Sequence, residues 1–319
     1  MSLQFLDRYQ GPARYLGLGL FLLLGLFGWL AYQSSSGANM QGFRNQQIIG
    51  TLLMLSIIPA FLMASLVFLY RETLQTLEQL AQHSPPDATR RLEHRVTHLP
   101  AASFLVILLA TCYGAWQNSN IIQGLLTGLA FTAADIALLV GNCLLWLCVG
   151  IVMGWRLPAS VELQRFGRSL QIDLYAPERV RPLANLATKD VLVVAGALAF
   201  MPLQALDAEF RWVNYSAGIY VGIPSALFLL CLPLLGIRQN IRHQKQQRLQ
   251  EINAVIATTD RKDIHQLEVL SAHADRIRAI SDWPFDLRLI TRILGYSIIA
   301  PGAWVGAALV ENLVDQFTG

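Results

Sequence analysis

Seven apolar segments, joined by connections whose positive charge falls almost wholly on one side, constrain this chain more than any other feature. They run over 15–32, 48–70, 101–116, 125–155, 191–206, 217–237 and 293–310. A run of ~18 or more apolar residues is long enough, as a helix, to cross the hydrocarbon core of a bilayer. The chain is 54% hydrophobic and 14% charged, whereas soluble domains carry about 25% charged residues. Lipid must therefore cover much of this surface. Seven helices of ~20 residues and their connections use up the 319 residues and leave no room for a large soluble catalytic domain. The expected fold is an all-α membrane protein, a seven-transmembrane-helix bundle with cytoplasmic helical extensions. The first segment, with an apolar core of ~18 residues, exceeds the 7–15 of a signal-peptide core and reads as a retained helix.

Positive charge near helix ends resists translocation, so its distribution sets orientation. With the N-terminus in the cytoplasm and all seven segments crossing, 22 of the 24 Lys and Arg residues fall inside, and only Arg44 and Arg211 fall outside. Every connection alternates correctly, which also supports the short segments 101–116 and 191–206. The C-terminus is then external, opposite to seven-helix receptors. The net charge of +3 gives no reason to expect a nucleic-acid partner.

The chain divides into crossings 1–4 (1–155, with a cytoplasmic connection at 71–100), a cytoplasmic linker (156–190), crossings 5 and 6 (191–237), a cytoplasmic helical hairpin (238–287) and the last crossing with an external end (288–319). In the hairpin, Ile241, Leu249, Ile252, Val255 and Ile256 recur at helical spacing, Thr258-Thr259-Asp260 interrupts, and Ile264, Leu267, Leu270, Ile277 and Ile280 resume. These stripes call for cover from the other loops, a second copy or a cytoplasmic protein.

Asp135 reads as the one ionisable residue deep inside a span. With Gly124, Gly128, Thr132 and Asn142 it would lie on one small, polar helix face. A charge at that depth costs ~3 kcal/mol on insertion scales and marks a solute path or a hydrogen-bonded packing site. Asp135, Asn142 and Thr132 are thus the candidate path. Pro224, Pro233 and the Pro301-Gly302 pair are candidates for broken helices that gate it. Arg238, Arg242, Lys245 and Arg248 leave the sixth segment at near-helical spacing and suit anionic lipid headgroups at ~1 kcal/mol per charge. The four cysteines lie in apolar segments without metal-ligand spacing and read as packing residues. No catalytic constellation, metal site or cofactor motif stands out, so no enzyme class is supported.

Near the C-terminus, Leu234–Arg238 leads into a basic helix, followed by Trp283-Pro284-Phe285-Asp286, Ile299–Gly306 and Ala308-Leu309-Val310-Glu311. Over about 234–315 the chain resembles a group of uncharacterised bacterial multi-pass inner-membrane proteins. The resemblance implies a bacterial inner membrane and carries no activity. Two readings follow from the residues: a channel or transporter for an ion or small solute, or a non-transporting scaffold or signalling or defence effector acting through the basic cytoplasmic helices.

Overall fold

The computed structural model describes residues 12–36, 49–127, 132–174, 180–206, 212–259 and 263–283, together with residues 291, 295, 302 and 306. Those residues are all-α, without a strand. The helices are α1 (Ala13–Ser36), α2 (Ile49–Ala81), α3 (Pro86–Thr97), α4 (Ala101–Gln117), α5 (Ser119–Thr127), α6 (Ala133–Ser169), α7 (Arg181–Ala199), α8 (Trp212–Thr258) and α9 (Ile264–Ala279), with a 3-10 turn at Met201–Leu206 between α7 and α8. Five of these helices, α1, α2, α6, α7 and α8, are long and apolar enough to cross a membrane, and α4 is a shorter apolar helix. The segment 293–310, with Pro301, lies outside the described residues except for Gly295, Gly302 and Gly306, each helical.

The outward faces show why water is the wrong solvent. On α1, Leu22 is 59% exposed, and on α4, Leu105 is 60% exposed, each among further exposed leucines. Exposed apolar faces of this kind mark contact with lipid or a partner. Small residues let α4 lie close on α6. A side chain on Gly150 would strike the backbone of Ile107, and the Ser103 hydroxyl donates to the Gly154 carbonyl.

The core is a ring of four helices in the order α2, α6, α8, α7 and back to α2. Neighbours around the ring pack along their lengths, while the diagonal pairs α6/α7 and α2/α8 do not pack closely. The helices α2, α6 and α8 run in one direction and α7 in the other. One end of the ring therefore collects the C-terminal part of α2, the continuation of α6, the start of α7 and the outward run of α8. This is the end that carries the long, Arg-rich connections.

One expectation changes. Segment 125–155 is not one helix. α5 ends at Thr127, and α6 starts at Ala133 and runs on to Ser169. Within the 156–190 linker, α6 continues through Pro158, and α7 begins at Arg181, with Pro182 in its first turn. Proline there costs nothing, since its missing N–H is one that the helix start leaves unpaired anyway.

Candidate functional site

Arg156 and Asp190 meet at the centre of the ring. The residues sit on α6 and α7, the helices that face each other across the diagonal, and their exposures are 0% and 1%. Arg156 donates from Nε to Asp190 Oδ1 at 2.6 Å and from Nη2 to Oδ2 at 2.8 Å. Its Nη1 donates to Thr73 Oγ1 of α2 at 3.0 Å, and the Thr73 hydroxyl donates to the Leu69 carbonyl at 2.6 Å. Two parallel charge-assisted bonds fix both planes, so three of the four ring helices are joined at one point. At the adjacent position on both α2 and α7, Lys189 pairs with Glu72.

Behind the pair lies a cavity of about 90 Å³. All four ring helices line it. Leu69, Val152, Val193 and Val194 surround the closed end beside the pair, and Leu198, Met201 and Val221 the far end. Around the closed end Val152, Val193 and Val194 are buried. At the far end Ile58, Leu145 and Trp146 are buried too, and the half-buried residues are Leu198, Met201 and Val221, on the α7–α8 side. Gly218 also lines the far end. A side chain there would overlap Met201 Sδ, so the thioether of Met201 lies directly over this glycine.

The expected path residues lie elsewhere. Asp135 is the third residue of α6, half-buried, not deep within a span. Its backbone N–H donates to Thr132 Oγ1 at 3.2 Å, and its Oδ2 accepts from the Thr132 N–H at 3.3 Å and the Thr132 hydroxyl at 2.8 Å. This reciprocal capping box satisfies helix-start donors, and a carboxylate there complements the positive end of the helix dipole. Ser35 of α1 accepts from the Ala134 N–H at 3.0 Å and completes the cap. Asn142 donates to the Gly114 carbonyl and to Gln117 Oε1, both at 3.3 Å, beside Trp146 Nε1 on the same Gln117 oxygen at 2.9 Å. Asn142 and Trp146 thus stitch α4 to α6. Gly124 is on α5, so the small polar face expected along one continuous helix does not exist.

The remaining candidates also acquire local roles. α8 continues as one helix through Pro224 and Pro233, so neither breaks it. Lys245 donates to the carbonyls of Arg278 and Ile280 at 2.9 and 2.8 Å, and with Arg242 it binds Asp282. Arg248 pairs with Glu251 on the surface at 3.0 Å. Arg238 stacks over the Trp283 ring at 4.5 Å. Arg238, Arg242 and Lys245 hold the end of α9 to α8, whereas the Arg248 pair lies within α8. Asn240 clamps α8 to the end of α6 by donating to the carbonyls of Gly167 at 2.9 Å and Leu170 at 2.7 Å.

Hydropathy hid the central pair. Arg156 directly follows the fourth apolar segment and Asp190 directly precedes the fifth, so both read as loop residues. The available signal was opposite charge at matching depth on either side of one connection. Compared with protein-family models, curated proteins and solved structures, the chain matches none.

Proposed function

We propose that this protein is a gated conduit for a small solute. In this reading the path runs through the four-helix ring and the Arg156–Asp190 pair is its closed gate. The observation that carries the proposal is the position of the pair: it bridges opposed helices across the axis and ends the axial cavity. Ionisable residues buried within a membrane bundle face its interior and mark pathways or moving parts. An ion is a poor cargo, because the cavity beyond the pair offers only apolar side chains, and a charge moved into such surroundings loses hydration that nothing replaces. The chain crosses seven times in this reading, in a bacterial inner membrane, with its N-terminus and the hairpin in the cytoplasm.

Proteoliposomes test the gate. With Asp190→Asn, vesicles pass glycerol faster than those holding the native chain, and both stay tight to K⁺. Equal glycerol leak from both, with the variant shown to be folded, refutes the gate.

A second reading, a platform that docks a cytoplasmic partner, is favoured by the outer part of α8. The helix has 47 residues, about 70 Å at 1.5 Å per residue. With α9 it leaves Val255, Ile264 and Val269 exposed. Capture of one stoichiometric protein by the native chain, lost with Ile264→Asp/Val269→Asp, together with absence of flux from every variant, would favour it.

A further inference from the structure

We propose that the axial cavity receives the end of an alkyl chain that enters sideways from the bilayer, between Met201 and α8. This names the cargo class for the conduit and rests on that reading. The first argument is the lining. Apart from the Arg156–Asp190 pair, whose bonds are directed at each other and at Thr73, the walls are aliphatic side chains, Trp146, two methionines and two glycines. About 90 Å³ is room enough for water, but a water needs two to four polar partners, and apolar cavities stay dry and take apolar guests.

The second argument is where the cavity is open. Its closed end is buried beside the pair, and at the far end it is half-buried only on the α7–α8 side, at Leu198, Met201 and Val221. Both helices there belong to the spans that are apolar enough for the membrane. On the other face of α8 from Val221, Tyr220, Ile223 and Leu227 are exposed at 69%, 50% and 57%, an outward apolar face suited to lipid beside the opening.

The third argument is the closure. Met201 Sδ lies where a Gly218 side chain would be. A methionine has three rotatable bonds and adapts its shape at low cost, and glycine leaves the space for it to swing. Met201 is thus a movable stopper at the bilayer side, and the closed ion pair is the floor.

The test uses full-length protein in nanodiscs made with a phospholipid that carries a diazirine at the end of one acyl chain. After irradiation, adducts are mapped by peptide mass spectrometry. The expected result is adducts on the buried residues Val152 and Val194, beside those on lipid-facing Leu22 and Leu105. In Val194→Phe, which fills the cavity, the Val152 adduct falls about tenfold, the loss of ~1.4 kcal/mol at the site, while Leu22 and Leu105 label as before. Should Val194→Phe misfold, Gly218→Phe, which blocks the mouth, gives the same comparison. Adducts confined to lipid-facing residues in the folded native protein overturn the proposal, as does a Val152 adduct that survives both variants. The outcome separates from that of the gate: glycerol leak without interior adducts leaves a conduit whose cargo is not an alkyl chain, and interior adducts without leak leave a lipid-binding cavity and no conduit.

Discussion

Replacing Asp190 by Asn removes one negative charge and little volume, so its effect isolates the electrostatics of the central pair. Arg156 is 0% exposed and cannot reach water without moving α6. Asn still accepts one of its two bonds, and Thr73 holds Nη1, so the cost is dominated by a buried charge left without its counter-charge. Breaking a buried pair from one side costs ~3–5 kcal/mol, a hundredfold or more in the folding equilibrium at ~1.4 kcal/mol per decade. Arg156→Met strands the carboxylate and costs a similar amount. The double variant Arg156→Met/Asp190→Leu removes both charges and fills the space, so it should return to within about 1 kcal/mol of the native chain or exceed it. Thr73 is not orphaned there, because its hydroxyl already donates to the Leu69 carbonyl. Equilibrium unfolding of the three variants in mixed micelles, followed by circular dichroism, gives the cycle. The reasoning fails if either single variant costs less than ~1 kcal/mol, or if the double variant is as unstable as the worse single.

Further tests address the fold around the site. Gly236→Ala would press a Cβ into the Gln164 carbonyl, which is backbone and cannot yield, whereas at Gly218 the obstacle is the flexible end of Met201; unfolding should show a loss of ~1–3 kcal/mol for the first and less than ~1 kcal/mol for the second. Thr132→Ala removes the α6 cap and should cost about 1 kcal/mol, with no change in glycerol or ion flux, because Asp135 and Thr132 build a helix start. Partial burial raises the Asp282 carboxyl, but the hydrogen bonds from Lys245 and Arg242 outweigh it and hold the group below its usual range. The contribution to holding α9 is then complete above the unfolded value of ~3.9 and is lost as pH falls through the lower folded value. Amide exchange over Ile264–Ala279 should accelerate in that acid range, and Asp282→Asn should accelerate it modestly at neutral pH, by less than ~1 kcal/mol for partly exposed pairs.

The membrane class was legible in hydropathy, because lipid tolerates few charges and every crossing must be apolar. Element boundaries were less so. α6 begins at Ala133 since Thr132 and Asp135 form a cap, and the T-x-x-D spacing was present in the sequence; the apolar run from 125 onward masked it. Arg156 and Asp190 were misread for a related reason. Hydropathy marks where the lipid-facing stretch ends, whereas helices continue past that point and can bury charge wherever a partner is supplied from another helix. Likewise the basic residues after position 237 suggested headgroups, but Asp282 and the carbonyls of Arg278 and Ile280 take Lys245, contacts that depend on how a distant helix folds back.

The most direct test of the gate is the accessibility of one position. Val194 lies one turn from Asp190 on the cavity side and is 6% exposed. In a background without Cys112, Cys143, Cys148 and Cys231, the Val194→Cys thiol should resist a membrane-impermeant maleimide added from the face carrying the Arg-rich connections. It should become reactive when Asp190→Asn, or Arg156→Gln with Asp190→Asn, is added. A thiol that stays unreactive in both folded variants, while a cysteine at exposed position 255 labels fully, would show that the pair closes no path and only holds the ring together.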